Sequence, residues 1–257
     1  MQTIEVNKHK IKVYSSNETL SIKRYQKFQK FLMIENEVGS SFIDYDTRTS
    51  RAIEFLNKGM VDEAVIELEN RRQMVYNAFE EFSPKNFALA LLIHSIDDVV
   101  YTNYSDEGLK EILDRLDEIG FDKAKLDETV SEVKKKIEFQ REIYFKSASK
   151  NSGEIERNGA ILKKLKADVN LILDDNEENK KALFDSEKEI LELQKPNIWN
   201  IYIDGNMEIE MEVEFEKFLL TISEHTTENI NEISVFRFDT LIEYLKEKNS
   251  KNGRSDN

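Results

Sequence analysis

The chain has 257 residues, 34% of them charged, and a formal net charge of −14 at pH 7, which disfavours a general coat for nucleic acid because like charges repel phosphate. It contains no cysteine, so disulfides, thiol nucleophiles and thiolate metal sites are excluded. No run of about 18 apolar residues occurs, so the sequence predicts neither a secretion signal nor a membrane span and favours a soluble intracellular product.

The scarcity of residues that interrupt helices predicts a mainly α fold, since the chain has two prolines and eight glycines. We expect four parts along it. Residues 1–120 form a small N-terminal β-hairpin and a helical domain, and residues 121–195 form a long helical-hairpin or coiled-coil arm. Residues 196–247 form a small helical C-terminal module, and the polar residues 248–257 form a disordered tail.

The first residues alternate apolar and polar side chains around a polar break. In "TIEVNKHKIKVY", Ile4 and Val6 precede the break and Ile11 and Val13 follow it, which predicts a two-stranded hairpin. The stretch from "SRAIEFLNKGM" to "YNAFEEF" then predicts a helical pair interrupted at Gly59. The most apolar run, "NFALALLIHSIDDVV", is expected at the centre of the N-terminal helical domain.

Apolar residues beyond residue 126 follow a heptad spacing, which predicts a coiled-coil seam. We expect two long helices that fold back on each other, the second reaching roughly 60 Å if it is unbroken at 1.5 Å per residue. The alternative is a turn at "DDNEENK", Asp174 to Lys180, between two shorter helices. The seam consists of Leu126, Val133, Ile137, Ile155, Leu162, Leu165, Val169, Ile172, Leu183 and Ile190.

Pro196 ends the arm because proline cannot donate to a helical hydrogen bond. The Asp204-Gly205 pair after it predicts at most a short extended or hairpin element, followed by a helix that begins near Met211. Glutamates at alternate positions from Glu208 to Glu216 indicate either a solvated surface or an acidic contact face.

Motifs for nucleotide binding and for serine hydrolysis do not occur in the sequence. His9, His94 and His225 lie far apart without a metal-ligand spacing, and the two acidic stretches lack the glycine and glutamate positions of a calcium loop. We therefore expect no cofactor, no metal site and no enzymatic activity. Asp97 and Asp98, which follow an apolar run, keep a metal-dependent enzyme as a further alternative.

Basic clusters lie on both predicted arm helices and have two interpretations. They can be flanking charge that keeps a coiled coil soluble and in register, or a grip on an acidic partner or on the DNA backbone. The clusters are Lys134, Lys135 and Lys136 on the first helix, and Lys163, Lys164 and Lys166 on the second.

One short pattern occurs near both ends of the chain. "LSIKRYQKFQKFL" begins at Leu20 and "ISVFRFDTLIEYL" begins at Ile233, and each reads apolar, Ser, β-branched, any residue, Arg, aromatic. The serine of each copy can cap a helix, and the apolar residue before it can form a hydrophobic staple with the aromatic residue. The sequence therefore predicts two helices that begin in the same way.

The segments around these two copies resemble structural proteins of tailed bacteriophages from gut bacteria. "SVFRFDTLIEYLKEK", preceded by "EFEKFLLTISEHTTENINEI", is similar to the endings of tail and connector assembly proteins. "IEVNKHKIKVYSSNETLSIKRYQKFQKFL" is similar to the openings of phage structural proteins. The resemblance covers roughly the first thirty and the last fifty residues and leaves the middle unmatched.

The resemblance implies a non-enzymatic virion component, either a head-tail connector or portal-vertex ring protein or a tail protein, that forms a homo-oligomeric ring. Its partners would be portal, connector or tail subunits, with DNA contact left open and no membrane contact. The alternative is a tail assembly chaperone that stays in the host cytoplasm, although such chaperones are shorter and lack the central arm. Residue types that dominate interface energies give the candidate interaction residues Trp199, Tyr202, Phe236, Arg237, Tyr244, Arg24 and Tyr25.

Overall fold

A computed structural model describes residues 1–79, 82–145 and 152–252, without the side chains of residues 123, 124, 126, 127, 152–155, 249, 251 and 252. Within these ranges the chain forms ten helices and four strands, so the predicted mainly α fold with an N-terminal β-hairpin is confirmed. The strands are β1 (Gln2–Val6), β2 (His9–Val13), β3 (Ile93–Ile96) and β4 (Val99–Val100). The helices are α1 (Ile22–Glu37), α2 (Phe42–Asn57), α3 (Val61–Phe79), α4 (Pro84–Leu92), α5 (Asp106–Glu118), α6 (Lys123–Tyr144), α7 (Ser152–Leu173), α8 (Glu177–Glu192), α9 (Met207–Ser223) and α10 (Val235–Asn252).

The chain forms two compact units. Unit 1 comprises Met1–Asn36, Glu81–Ser149 and Glu208–Asn257, and unit 2 comprises Glu37–Glu80 and Lys150–Met207. Unit 2 is thus made of two insertions into the chain of unit 1, one with the helical hairpin α2·α3 and one with the hairpin α7·α8. The boundaries of these units differ from the predicted boundaries at residues 120, 195 and 247. The independent folding of the predicted N-terminal domain, arm and C-terminal module therefore stays a prediction.

The N-terminal hairpin turns at Asn7 and Lys8, whose φ angles of 48° and 74° suit the two central positions of a type I′ turn. Strands β3 and β4 extend it to one antiparallel sheet in the order β1-β2-β3-β4. Sequence patterning missed these two strands. Helix α4 passes directly into β3 through a run of fully buried residues, and an unbroken apolar run has no period that separates helix from strand.

The predicted arm differs from the structure. A continuous helix from residue 155 to residue 193 is wrong, because α7 ends at Leu173 and α8 begins at Glu177, so the alternative with a turn is correct. Asn176 caps α8 by accepting a hydrogen bond from the backbone N–H of Asn179 at 2.8 Å. The hairpin is formed by α7 and α8, whereas α6 belongs to unit 1.

The C-terminal region is more helical than expected. Gly205, with a φ of 77°, lies in a turn just before α9, and this helix begins at Met207 rather than near Met211. Helix α10 continues to Asn252, five residues into the predicted tail, and residues 253–257 lie outside the described ranges. None of the described helices has the length and apolarity needed to cross a bilayer.

Polar side chains of α3 hold the extended segment that follows α8. Nδ2 of Asn70 donates to the carbonyl of Asn197 at 2.8 Å, and Oδ1 of Asn70 accepts from the Trp199 N–H at 2.9 Å. Oε1 of Gln73 accepts from the Ile201 N–H at 3.2 Å. Asn70, Gln73 and Trp199 are buried, and the bond between Asn70 and the Trp199 N–H satisfies a buried backbone group.

Substituting Asn70→Ala removes both hydrogen bonds to the segment and leaves the Asn197 carbonyl and the Trp199 N–H without their partner. We expect the free energy of unfolding to fall by about 1–3 kcal/mol, the cost of leaving a buried group such as the Trp199 N–H unsatisfied. Trp199 is the single tryptophan of the chain, so urea unfolding followed by its fluorescence reports on this site. The exposed Asn158→Ala on α7 is the matched control. Equal midpoints for the two variants would contradict the assigned role.

Candidate protein-binding surfaces

The two copies of the repeated pattern meet in unit 1. Ser21 and Ser234 form an antiparallel β-bridge. The Ile22 N–H donates to the Ile233 carbonyl and the Val235 N–H donates to the Leu20 carbonyl, each at 2.9 Å. An antiparallel pair of this kind is related to itself by a local two-fold rotation. The repeated sequence therefore has a structural cause: α1 and α10 begin side by side in equivalent backbone surroundings.

The serine caps are the same in both copies, but the arginines differ in their surroundings. Oγ of Ser21 accepts from the Arg24 N–H at 3.4 Å, and Oγ of Ser234 accepts from the Arg237 N–H at 3.2 Å. The Arg24 guanidinium is buried and donates to two backbone carbonyls, at 3.1 and 2.6 Å. The Arg237 guanidinium is half exposed and pairs with Glu228. The local symmetry thus includes the backbone and the serine caps but not the arginine side chains.

Helix α6 contacts the first turns of both α1 and α10. Arg141 donates through Nε and Nη2 to both carboxylate oxygens of Asp239, at 2.8 and 2.9 Å. The same guanidinium lies 5.6 Å from the ring centre of Tyr25. Burial raises the pKa of Asp239, although Arg141 favours the charged carboxylate. Tyr144 of α6 packs edge-on against Phe236 with ring centres 5.9 Å apart.

The predicted interaction residues are distributed over both units, with Trp199 and Tyr202 in unit 2 and the others in unit 1. Two of the predicted interaction residues have largely exposed side chains: Tyr202 is 72% exposed and Tyr244 is 59% exposed. Their binding roles stay predictions. The others are engaged inside a unit: Arg24, Tyr25 and Trp199 are buried, Phe236 packs on α6, and Arg237 pairs with Glu228.

Part of the acidic stretch of α9 lies against α1. Glu208, Glu212 and Glu216 occupy one side of the helix and face α1, where Nζ of Lys30 lies 2.7 Å from Glu208 and 2.6 Å from Glu212. Glu216 pairs with Lys23 at 2.9 Å. Burial lowers the pKa of Lys30, but the two glutamates outweigh it and raise this pKa above its usual value. Three of the glutamates therefore join two helices of unit 1.

An aromatic surface lies on the α2·α3 hairpin of unit 2. Phe42 and Phe79 are 82% and 81% exposed, and the Phe42 ring stacks on Tyr45 with ring centres 6.1 Å apart. Together with residues of α3 they line an open apolar groove. Tyr76 extends the surface through an edge contact with Tyr202 at 5.7 Å. We define the aromatic surface as Phe42, Tyr45, Val75, Tyr76 and Phe79.

The residues of the predicted coiled-coil seam lie in different environments, some buried and some exposed. In α6, Val133 and Ile137 are buried in unit 1. In α7 the seam residues face outward, and the helix packs with Ala160 and Ala167 buried instead. Leu183 and Ile190 of α8 are half-buried, and the side chains of Leu126 and Ile155 lie outside the description. We define the α7 stripe as the exposed seam residues Leu162, Leu165, Val169 and Ile172.

The basic residues of α7 are partly used within its own hairpin. Lys163 pairs with Glu189, and Lys164 lies 3.7 Å from Glu187, both on α8. These pairs agree with the interpretation as flanking charge. Lys166 lies exposed beside the α7 stripe. Contact with DNA stays an open prediction.

The residues considered for a metal site are separated or engaged elsewhere. Nδ1 of His9 lies 2.8 Å from Oδ2 of Asp97, which sits at the β3–β4 turn with a φ of 53°. Nδ1 of His94 lies 3.0 Å from the Tyr14 hydroxyl, and His225 is exposed after α9. Among the described side chains, no group of three or more His, Cys, Asp or Glu residues could hold a metal ion.

Substituting Val235→Pro tests the bridge, because proline removes the N–H that donates to Leu20 but fits the first position of a helix. We expect the free energy of unfolding to fall by about 1–3 kcal/mol, the cost of an unsatisfied buried carbonyl. Val61→Pro, at the first position of α3, should change it by less than about 0.5 kcal/mol. Denaturant titrations followed by circular dichroism measure both. A similar effect of the two prolines would refute the assigned role of the bridge.

Burial, reinforced by Arg24 and Lys12, lowers the pKa of His94 below its ordinary value of 6.5. The unfolded chain then binds a proton more readily than the folded one, so stability should decrease as the pH falls below about 6.5. We expect His94→Gln to lose less stability than the wild type between pH 7.5 and pH 5. Urea titrations at both pH values measure this, with His225→Gln as control. An unchanged pH dependence in His94→Gln would contradict the linkage.

These surfaces were compared with known proteins. No protein-family model, curated protein or solved structure matches this chain. Its function must therefore be inferred from its own surfaces.

Proposed function

We propose that this protein is a non-enzymatic assembly protein that binds other proteins through unit 2. The observation that carries the proposal is the aromatic surface, where Phe42 and Phe79 are each more than 80% exposed. Large aromatic side chains supply much of the energy at protein interfaces, and clustered exposed apolar residues mark such sites. A surface of this kind on an otherwise highly charged chain has a direct use in binding.

The aromatic surface is held by a rigid base, which lowers the entropic cost of binding. Ser41 caps α2 by accepting from the Asp44 N–H, while the Asp44 carboxylate accepts from the Ser41 N–H at 2.9 Å. This capping box fixes the first turn of α2, which carries Phe42. The partner therefore meets an aromatic side chain on an ordered helix.

The interior of the same hairpin adds a buried ionic contact. Glu67 of α3 is fully buried and lies 3.2 Å from Nε of Arg51 and 3.5 Å from Nη1 of Arg48, both on α2. Burial raises the pKa of Glu67, and the two arginines oppose this change. Removing one partner of a buried ion pair leaves an uncompensated charge, so the packing of α2 on α3 depends on keeping these side chains together.

The setting that we propose is a tailed-phage particle, in which the protein is a head-tail connector, a portal-vertex ring component or a tail component. Support comes from the resemblance of the two end segments to phage structural proteins. The alternative proposal is a tail assembly chaperone that remains in the host cytoplasm. Both rest on binding to other structural proteins and differ in whether the protein stays in the particle.

The test uses the double variant Phe42→Ser, Phe79→Ser. It is produced in cells that make phage particles from a genome that carries this sequence. We expect its copy number in purified particles, measured by quantitative mass spectrometry, to fall at least tenfold below that of the wild type. Leu220→Ser, at a 66% exposed position of α9, is the control and should be incorporated normally.

Two results would change the proposal. Wild-type protein that is abundant in the cells but missing from the particles would replace the virion component with the chaperone. Normal incorporation of the double variant would remove the aromatic surface from the assembly role.

A further inference from the structure

The α7 stripe is an exposed apolar face with the spacing of a helix–helix seam. Its four residues are separated by three, four and three positions and are 53% to 83% exposed. The stripe runs for about 15 Å along the helix at 1.5 Å per residue. A seam with this spacing packs against one side of another helix.

A second exposed stripe lies on α3 in the same unit. We define the α3 stripe as Val61, Val65 and Leu68, which are separated by four and three positions and are 57%, 51% and 40% exposed. It therefore has the same helical spacing as the α7 stripe. The α3 stripe shares no residue with the aromatic surface, which consists of Phe42 and Tyr45 on α2 and of Val75, Tyr76 and Phe79 in the later turns of α3.

The two stripes lie in segments of opposite charge. Residues 61–68, which span the α3 stripe, include three acidic residues and no basic residue, whereas residues 162–172, which span the α7 stripe, include three basic residues and one acidic residue, Asp168. Charges that flank an apolar seam decide which helices pair. The acidic residues of the α3 stripe segment are Asp62, Glu63 and Glu67, and the basic residues of the α7 stripe segment are Lys163, Lys164 and Lys166.

Some of these charges already have partners within unit 2. Glu63 pairs with Lys195 at 2.8 Å, and Glu67 is buried. Asp62 and Lys166 are exposed, and each lies on the flank of its stripe. Both residues lie on the same flank of their stripes, so this pair can meet when the two stripes face each other in antiparallel orientation.

Pairing of the α7 stripe with itself is less favourable. In an antiparallel pair centred on the stripe, two-fold symmetry places the same flank of both helices together. Lys166 of one copy would then lie close to Lys166 of the other, and like charges in this position are destabilising. The acidic flank of the α3 stripe avoids this repulsion.

We infer that the α7 stripe of one copy docks on the α3 stripe of a second copy. This inference rests on the proposed assembly function and names another copy of the chain as one of its partners. The contact joins two different surfaces, so each copy can bind one neighbour at either stripe. Such a head-to-tail contact builds a closed ring where the rotation closes and an open filament where it does not.

The test is a mixing experiment with the full chain in sedimentation velocity. One variant carries Leu165→Ser and Ile172→Ser, and the other carries Val65→Ser and Leu68→Ser. We expect the wild type to form species larger than a dimer as the concentration rises and each variant alone to stay monomeric. Because each variant retains the stripe that the other lacks, their equimolar mixture should form a 1:1 dimer. Leu220→Ser should behave like the wild type.

A charge exchange provides a second test that leaves both apolar stripes intact. Lys166→Glu should weaken the association of the wild type at least tenfold. Adding Asp62→Lys to the same chain should restore most of it, because the two charges then attract again. Failure of this restoration would overturn the proposed pairing of the stripes.

Two results of the mixing experiment would also overturn the inference. Self-association of the Val65→Ser, Leu68→Ser variant would show an α7–α7 contact, and a monomeric wild type at every concentration would show no contact between copies. Neither result touches the proposed function, since Phe42 and Phe79 lie outside both stripes and are tested by incorporation into particles.

Discussion

The pairing of Ser21 with Ser234 is the contact on which unit 1 depends, because it joins the first helix to the last one described. Two backbone hydrogen bonds of 2.9 Å orient the starts of α1 and α10, and Arg141 then engages Asp239 and Tyr25 from α6. Each serine caps one helix while its backbone belongs to the bridge. A single geometric arrangement thus explains why two distant segments have the same pattern of side chains.

Local signals in the sequence predicted many of the elements, though not β3 and β4, and did not predict how the elements pack. The serine caps, the β1–β2 turn at Asn7 and Lys8, and the heptad spacing of α7 are properties of short segments and could be predicted. Which side of α7 is buried depends on α8, and small residues such as Ala160 and Ala167 allow close packing there. Periodicity identifies an apolar face and does not say whether a partner covers it.

The candidate surfaces show the same contrast between the residue type, which the sequence gives, and its burial, which depends on packing. Aromatic residues were predicted as interaction residues from their type alone, yet Trp199 is buried and Phe42 is exposed, since exposure depends on long-range contacts. Asn70 and Gln73 gave no signal, because polar residues on a helix normally face water. The segment beside α3 supplies both side chains with backbone partners. A search for polar residues at positions that continue the buried face of α3 could have found them.

The division of the chain into two interleaved units has a consequence for how the protein is made. The chain passes from one unit to the other at four places, near residues 36, 80, 149 and 207. Neither unit is contiguous, so neither can finish folding as a simple N-terminal portion during synthesis. The contacts of Ile22 with Ile233 span more than two hundred residues, and such distant contacts form slowly. The nascent chain must therefore expose parts of its interior until residue 235 has left the ribosome.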